Sequence, residues 1–174
     1  MNLEALAQEH PLQITAKNDG GRANIRIQGT IYSFDADAFR YSINELIKQG
    51  VKDVSLYINT PGGSVFAANE MANEILRFPG TVSGFGGAIV ASAGSYLATI
   101  CQTFEMAENG QFMIHKPKAL IDGNEDDVEG RLKLLKNLTA QYRKQYAEKT
   151  GKTEEEIETL WSKGDVWFNA QEAL

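Results

Sequence analysis

Apolar and polar residues alternate over residues 23–31, with Ile25, Ile27 and Ile31 on one face, the period-two pattern of a half-buried strand. The rhythm then changes. Ser33-Phe34-Asp35 opens a stretch in which Phe39, Ile43, Leu46 and Ile47 recur at helical spacing, and Gly50 ends it. Residues 54–58 predict a second strand, and Asn59-Thr60-Pro61-Gly62-Gly63 a sharp turn. A helix is expected from Ser64, with Val65, Ala68, Ala72, Ile75 and Leu76 facing inward, stopped by Pro79-Gly80. Residues 82–85 predict a third strand. The stretch Gly84 to Gly87 then leads into an apolar, small-residue helix over 89–100. Two short strands, 104–107 and 112–115, are expected next, joined through Asn109-Gly110, a hairpin-type turn.

Strands alternating with helices predict an α/β domain with right-handed crossovers, built from repeated β-α-β units. Beyond it, Val128, Leu132, Leu135, Leu138 and Tyr142 recur at three and four, so residues 126–149 read as one long helix. At 1.5 Å per residue it would reach roughly 35 Å, longer than one small domain needs. A shorter helix over 153–161 follows Gly151, and Ala173-Leu174 looks like the start of another. The length, 174 residues, suits a single domain over 1–174, without repeats or linkers. Residues 1–22 are mixed and close on the turn signal Asn18-Asp19-Gly20-Gly21.

Charge and composition remove several functions. With 23 acids against 17 bases the net charge is -6, which argues against a nucleic-acid surface. No apolar run approaches the ~20 residues that span a bilayer, and Met1-Asn2-Leu3-Glu4 has no basic region before an apolar stretch, so neither a membrane span nor a signal peptide is expected. The one cysteine, Cys101, cannot form an intrachain disulfide and suits a reducing cytoplasm. There is no phosphate-binding G-x-x-x-x-G-K-[ST]. The two histidines, His10 and His115, are far apart, and no Cys/His cluster has zinc-ligand spacing. No metal or organic cofactor is implied.

Three segments can carry chemistry. In Pro61-Gly62-Gly63, two glycines between a strand and a helix allow a tight turn and expose backbone N–H groups able to stabilise an oxyanion. Taken alone, such a turn is more often only a turn. In Ala88-Ile89-Val90-Ala91-Ser92-Ala93-Gly94-Ser95, a serine among small residues has the physics of a nucleophile elbow, with the Ala93 N–H directed at the attacked carbonyl. Small residues also serve close helix packing, and Ser95 competes with Ser92. His115 ends the apolar run Phe112-Met113-Ile114 and precedes Lys116-Pro117, where an imidazole can reach a cleft as general base.

The order and surroundings of these segments resemble the Clp protease proteolytic subunit family. The matching stretches are Tyr57-Ile58-Asn59-Thr60-Pro61-Gly62-Gly63-Ser64-Val65, Val90-Ala91-Ser92-Ala93-Gly94-Ser95 and Phe112-Met113-Ile114-His115-Lys116-Pro117. The likeness runs from about Ala23 to Leu174. It implies the α/β fold shared by Clp proteases and crotonases, with the long helix as a protruding handle. It also implies a serine endopeptidase with Ser92 as nucleophile, His115 as base, and Gly63 and Ala93 as the oxyanion hole. Ser33 to Gly50 and Ser64-Val65-Phe66-Ala67 resemble the phage and prophage members more, some of which act in capsid maturation.

Two departures stand out. The family's acid follows a T-G-x-[ST]-x-x-x-I-E stretch, here residues 150–158, yet Thr159 to Lys163 contain no carboxylate. Asp165 is the nearest acid beyond and the candidate for the third catalytic residue, the one that orients the imidazole; the alternative is an enzyme that works with Ser92 and His115 alone. Residues 1–22 do not resemble the family's axial loop, which leaves an ATPase unfoldase partner open. The resemblance points to peptides or unfolded proteins as substrates, and to a homo-oligomeric ring, or two stacked rings, joined through Leu132, Leu135 and Leu138. A crotonase-type acyl-CoA enzyme would work through carboxylates rather than a Ser/His pair. A non-catalytic assembly protein is the other reading, favoured by the displaced acid.

Overall fold

The computed structural model describes residues 13–19 and 22–174. His10, the start of the chain and the Gly20-Gly21 pair lie outside the described residues, and with them most of the divergent segment 1–22. In chain order the elements are β1 (Gln13–Asp19), β2 (Arg22–Gln28), α1 (Asp35–Lys48), β3 (Asp53–Thr60), α2 (Val65–Arg77), β4 (Thr81–Ala91) and α3 (Ala93–Ile100). These are followed by β5 (Thr103–Met106), β6 (Gln111–Ile114), α4 (Glu125–Thr150), α5 (Glu154–Trp161), β7 (Val166–Asn169) and α6 (Ala170–Ala173). Two compact units result: residues up to Met113 together with Trp167–Leu174, and Ile114–Val166.

The first unit is built on one sheet with strand order β1-β2-β3-β4-β6-β7, and β5 also pairs with β4. β1 is antiparallel to β2, whereas β2, β3 and β4 run parallel, as β-α-β units require. Alternation along the strands decides the core. Ala23, Ile25 and Ile27 of β2 and Val54, Leu56 and Ile58 of β3 are buried, while the residues between them are half-buried or exposed. Helix α1 contributes Phe39, Ile43 and Leu46 to the core, and α2 contributes Ala68, Met71, Ala72 and Ile75. Leu76, expected to face inward, is exposed. It sits about 100° around the helix from Ile75, past the edge of the buried stripe, and Met71 fills the inner face instead.

Two further expectations are corrected. The helix expected over 89–100 starts only at Ala93, because β4 continues to Ala91. Residues 89–91 are paired on both sides, Val90 with Thr60 and Ile89–Ala91 with Gln111–Met113. Those ladder bonds outweigh the modest helix preference of an alanine-rich stretch. Asn109-Gly110 is not a hairpin turn either. Both β5 and β6 run parallel to β4, β5 along Ser83–Gly86 and β6 along Ile89–Ala91. Gly110 N–H donates to the Ala107 carbonyl at 2.8 Å, a turn that steps the chain forward along the same edge. Folding back would have left the end of β4 with unpaired backbone groups.

The second unit is helical. Asn124 and Asp127 form a capping box at the start of α4, and Thr153 and Glu156 form one at the start of α5. Tyr142, Tyr146 and Ala147 of α4 and Ile157 and Trp161 of α5 make its core. Tyr146 stands edge-on to Tyr142 at 6.3 Å and to Trp161 at 6.0 Å. Upstream of Tyr142 no residue of α4 is buried, and Val128, Leu132 and Leu134 are 40%, 41% and 45% exposed.

Candidate active site

Ser92 stands where β4 becomes α3. Among the described residues it is the one non-glycine residue with positive φ, at 55° with ψ -118°. An L-residue held there costs about 1–3 kcal/mol, so the surroundings must impose it. They do so from both sides. The Ser92 N–H donates to the Met113 carbonyl at 3.0 Å, which ties the end of β4 to β6. The Ser92 carbonyl accepts the Tyr96 N–H at 3.1 Å and the Ser95 hydroxyl at 2.6 Å, which starts the helix. Ser95, the competing serine, is therefore fully buried and spends its hydroxyl on the turn, while Ser92 is partly exposed.

The glycine turn packs directly on this elbow. Gly62 has φ 99°, and a Cβ there would lie 2.7 Å from the Ser92 Cβ, 2.8 Å from the Ala91 oxygen and 3.0 Å from the Ala93 nitrogen. Gly63 has φ 143°, and a Cβ on it would meet the Ile31 oxygen at 2.1 Å. The Ile31 N–H donates to the Gly62 carbonyl and the Ser64 N–H donates to the Ile31 carbonyl, both at 2.8 Å. In that parallel bridge the N–H of Gly63 points away from Ile31. The Ala93 N–H, at the first position of α3, has no carbonyl four residues back in its own helix. A backbone N–H from each side of the Gly62/Ser92 contact is thus available to an anion.

Thr60 and Asn59 hold this arrangement, and the sequence reading gave neither a role. The buried Thr60 hydroxyl donates to the Gly29 carbonyl at 2.6 Å and accepts the Gly62 N–H at 3.0 Å. Between Ile58↔Gly86 and Thr60↔Val90 the register shifts, so two steps along β3 match four along β4. Asn59 Oδ1 accepts the Ile89 N–H across this irregularity at 3.1 Å. A polar residue just before a turn was the available signal, but a shift in register cannot be read from one strand alone.

His115 and Asp165 belong to the second unit. Asp165 Oδ1 lies 3.0 Å from His115 Nδ1. An ionised carboxylate only accepts, so this bond puts the ring proton on Nδ1 and leaves Nε2 as the basic nitrogen. Burial lowers the His115 pKa below its ordinary value, and the charge of Lys118 adds to this, against the pull of Asp165. For Asp165 burial works upward. The Lys118 hydrogen bond, at 3.1 Å, and the bond and charge of His115 outweigh it and hold the carboxyl low.

Beside this pair, Glu158 of α5 gathers three donors. Lys116 pairs with its Oε1, Trp161 Nε1 donates to Oε2 at 3.0 Å, and Arg143 of α4 reaches Oε2 at 3.3 Å. Arg143 Nε also donates to Glu154 at 2.9 Å. The Lys116 bond first, then Trp161 and Arg143, bring the Glu158 pKa down to about 2. One carboxylate therefore joins α4, α5 and the residue that follows His115.

A sequence profile described as Clp protease matches residues 13–174. The chain is 34% identical over 125 residues to the ATP-dependent Clp protease proteolytic subunit 2 of Rhodococcus jostii, an alignment covering 71% of this chain and 64% of that one. It is 33% identical over 123 residues to the ATP-dependent Clp protease proteolytic subunit 1 of Streptomyces avermitilis, covering 70% and 56%. With subunit 2 from Corynebacterium glutamicum the identity is 33% over 125 residues, covering 70% and 61%. The chain thus spans less than two thirds of the length of these curated relatives.

Two outcomes follow from the geometry. Gly62→Ala must push a methyl into Ser92 at a φ that disfavours it, and is expected to lower unfolding free energy by about 1–3 kcal/mol in a urea titration. Glu158 has a folded pKa of about 2 against an ordinary 4.5, so its stabilising contribution is complete above about 4.5 and lost as pH falls. Urea midpoints of wild type and Glu158→Gln are expected to differ at neutral pH and to converge between about pH 5 and 2. The gap is modest, because the carboxylate is 41% exposed.

Proposed function

The chain belongs to the Clp protease family, and on that premise we propose that it is a serine endopeptidase working through an acyl-enzyme on Ser92. The observation that carries this reading is the strained Ser92 backbone, φ 55°, locked between β4, α3 and the Gly62-Gly63 turn. Strain of this kind at a strand-to-helix turn presents a hydroxyl to substrate and brings N–H groups with it.

In this reaction Ser92 Oγ attacks the peptide carbonyl. The Oγ–C bond forms, the carbonyl π electrons move to oxygen, and the Oγ proton passes to His115 Nε2. The N–H groups of Gly63 and Ala93 receive the oxyanion, aided by the positive end of α3. Asp165 holds the Nδ1 proton and stabilises the imidazolium. The tetrahedral species then expels the amine, which leaves with the proton from His115, and water repeats the sequence on the ester. Asp165 thereby serves as the acid that the family otherwise carries nearer to Glu158. The reading requires the two units to act as one peptidase domain over 1–174, with Ser92 and His115 serving the same substrate.

The substrates are peptides or unfolded proteins, hydrolysed in the cytoplasm by a homo-oligomeric ring or a pair of stacked rings. Support for assembly comes from α4, about 39 Å long for its 26 residues, whose first part buries nothing within the chain. Leaving an apolar stripe in water is unfavourable by about 25 cal/mol per Å². The resemblance of Ser33 to Gly50 and of Ser64-Val65-Phe66-Ala67 to phage and prophage members points to a phage-encoded role, such as capsid maturation. The relatives are named ATP-dependent. Whether this chain works with an unfolding ATPase is open, since residues 1–22 do not resemble the family's axial loop.

A serine-directed fluorophosphonate is expected to modify Ser92 and no other serine, and Ser92→Ala is expected to abolish cleavage of unfolded casein. A label on Ser95, or none at all, overturns the assignment. Light scattering at micromolar concentration is expected to show an oligomer that Leu135→Glu disperses, with loss of peptidase activity. A monodisperse species of 19.2 kDa overturns the assembly.

A further inference from the structure

One contact near His115 has no place in the reaction as written. Lys118 Nζ lies 3.1 Å from Asp165 Oδ1, the same oxygen that sits 3.0 Å from His115 Nδ1. The carboxylate therefore serves an ammonium and an imidazole through one atom. Lys118 leaves the irregular segment after β6 just past the buried Pro117, whose ring removes one backbone freedom from the approach. The burial gradient is steep. The Lys118 side chain is 69% exposed, that of Asp165 33% and that of His115 13%.

We propose that Lys118 is a positioning residue for the peptidase reaction: by claiming the shared oxygen of Asp165, it weakens the carboxylate's hold on a protonated imidazole and keeps His115 a proton acceptor in mildly acidic solution. The inference rests on the reading of His115 as general base. Without Lys118, the ring would face a full negative charge on Asp165, and protonation would be favoured. With Lys118, the pair of partners is close to neutral, and the ammonium also repels the imidazolium directly. Among the described residues, the charges of Lys118 and Asp165 act on the ring. The charges bordering this segment from α4 and α5, Arg143 and Glu158, are engaged with each other and with Lys116, next to His115 in the chain. The lowered His115 pKa agrees in direction, with burial as its larger cause.

An exposed ion pair of this kind adds little to stability. Its purpose is therefore sought in the pH dependence. The test follows the imidazole by NMR in full-length protein carrying Ser92→Ala, with His10→Asn so that one ring signal remains. Lys118→Met is expected to raise the His115 midpoint by roughly half a pH unit, the size for one charge about 6 Å away in near-aqueous dielectric. Lys118→Arg is expected to restore the wild-type midpoint. The difference is expected to shrink as salt rises, because Lys118 is exposed. In Ser92-containing protein, the acid limb of kcat/KM is expected to lie below the 6.5 of an ordinary imidazole and to move upward with Lys118→Met. A His115 midpoint that stays or falls in Lys118→Met overturns the inference, as does an acid limb that ignores a midpoint that moved. Absence of any peptidase activity in the unmodified protein instead overturns the proposed function, and the imidazole titration still decides whether Lys118 controls the ring.

Discussion

Placing a serine at positive φ is the constraint on which the first unit turns. Strand β4 and helix α3 join at Ser92 with the residue at φ 55°, and its side chain makes no cap hydrogen bond to the helix. The unfavourable geometry is held by bonds on both faces of the turn, to Met113 from the nitrogen and from Tyr96 and Ser95 to the carbonyl oxygen. It also determines what can stand opposite. Any Cβ on Gly62 would collide with Ser92, and any on Gly94 would come within 2.3 Å of the Thr60 methyl. Gly62 thus answers to Ser92, Gly63 to Ile31 and Gly94 to Thr60, each at a close approach that a side chain would block. The bridge to Ile31 and the first position of α3 leave the N–H groups of Gly63 and Ala93 unused by the sheet and the helix.

The second unit solves a different problem, the placement of charge. Glu158 accepts from three donors and ties two helices to the segment that begins at His115. Asp165 meets that segment from the turn before β7. Because Glu158 absorbs Lys116 and Arg143, Asp165 is left to His115 and Lys118. Two carboxylates in neighbouring positions therefore have separate duties, one binding elements together and one facing a titratable ring. Exposure separates their energetics less than the number of donors does. Glu158 is the more strongly depressed although it is the more exposed, since three hydrogen bonds act on it in one direction.

Edges and surfaces follow from the same economy of backbone groups. β4 is eleven residues long, and one short strand cannot satisfy its outer edge. β5 and β6 share that edge in succession, and the second of them holds Ser92. Helix α4 shows the opposite situation, a regular element whose bonds are internal but in which no side chain upstream of Tyr142 is buried, Leu135, Leu138 and Thr139 being only partly covered. In proteins most of a helix's stability comes from tertiary packing of one face. Within the second unit that support comes from the buried Tyr142, Tyr146, Ala147, Ile157 and Trp161.

Much of this was legible in the order of residues, because the information was local. Alternation at Ile25 and Ile27, the three-four spacing of Phe39, Ile43 and Leu46, and the break at Gly50 each depend on near neighbours, and they identify β2 and α1 with small errors at the ends. The same holds for α4 and α5, whose spacing is long and regular. Ser92, His115 and the Gly-Gly turn stood out by residue type and by surroundings, enough to place the chain in a family. What the tertiary structure decided depends on partners distant in sequence. Residues 89–91 are strand rather than helix because β3 and β6 flank them. Asn109-Gly110 advances the chain because β4 still has an open edge. Leu76 faces solvent because Met71 and Ile75 already fill the inner stripe. The difference between Ser92 and Ser95 lies in a backbone angle and a buried hydroxyl, neither of which residue type reveals. The sharing of one Asp165 oxygen by His115 and Lys118 joins positions 50 and 47 residues apart. Local patterns encode elements because their energetics are local; a site is encoded by contacts across the fold, which exist only once the chain has closed on itself.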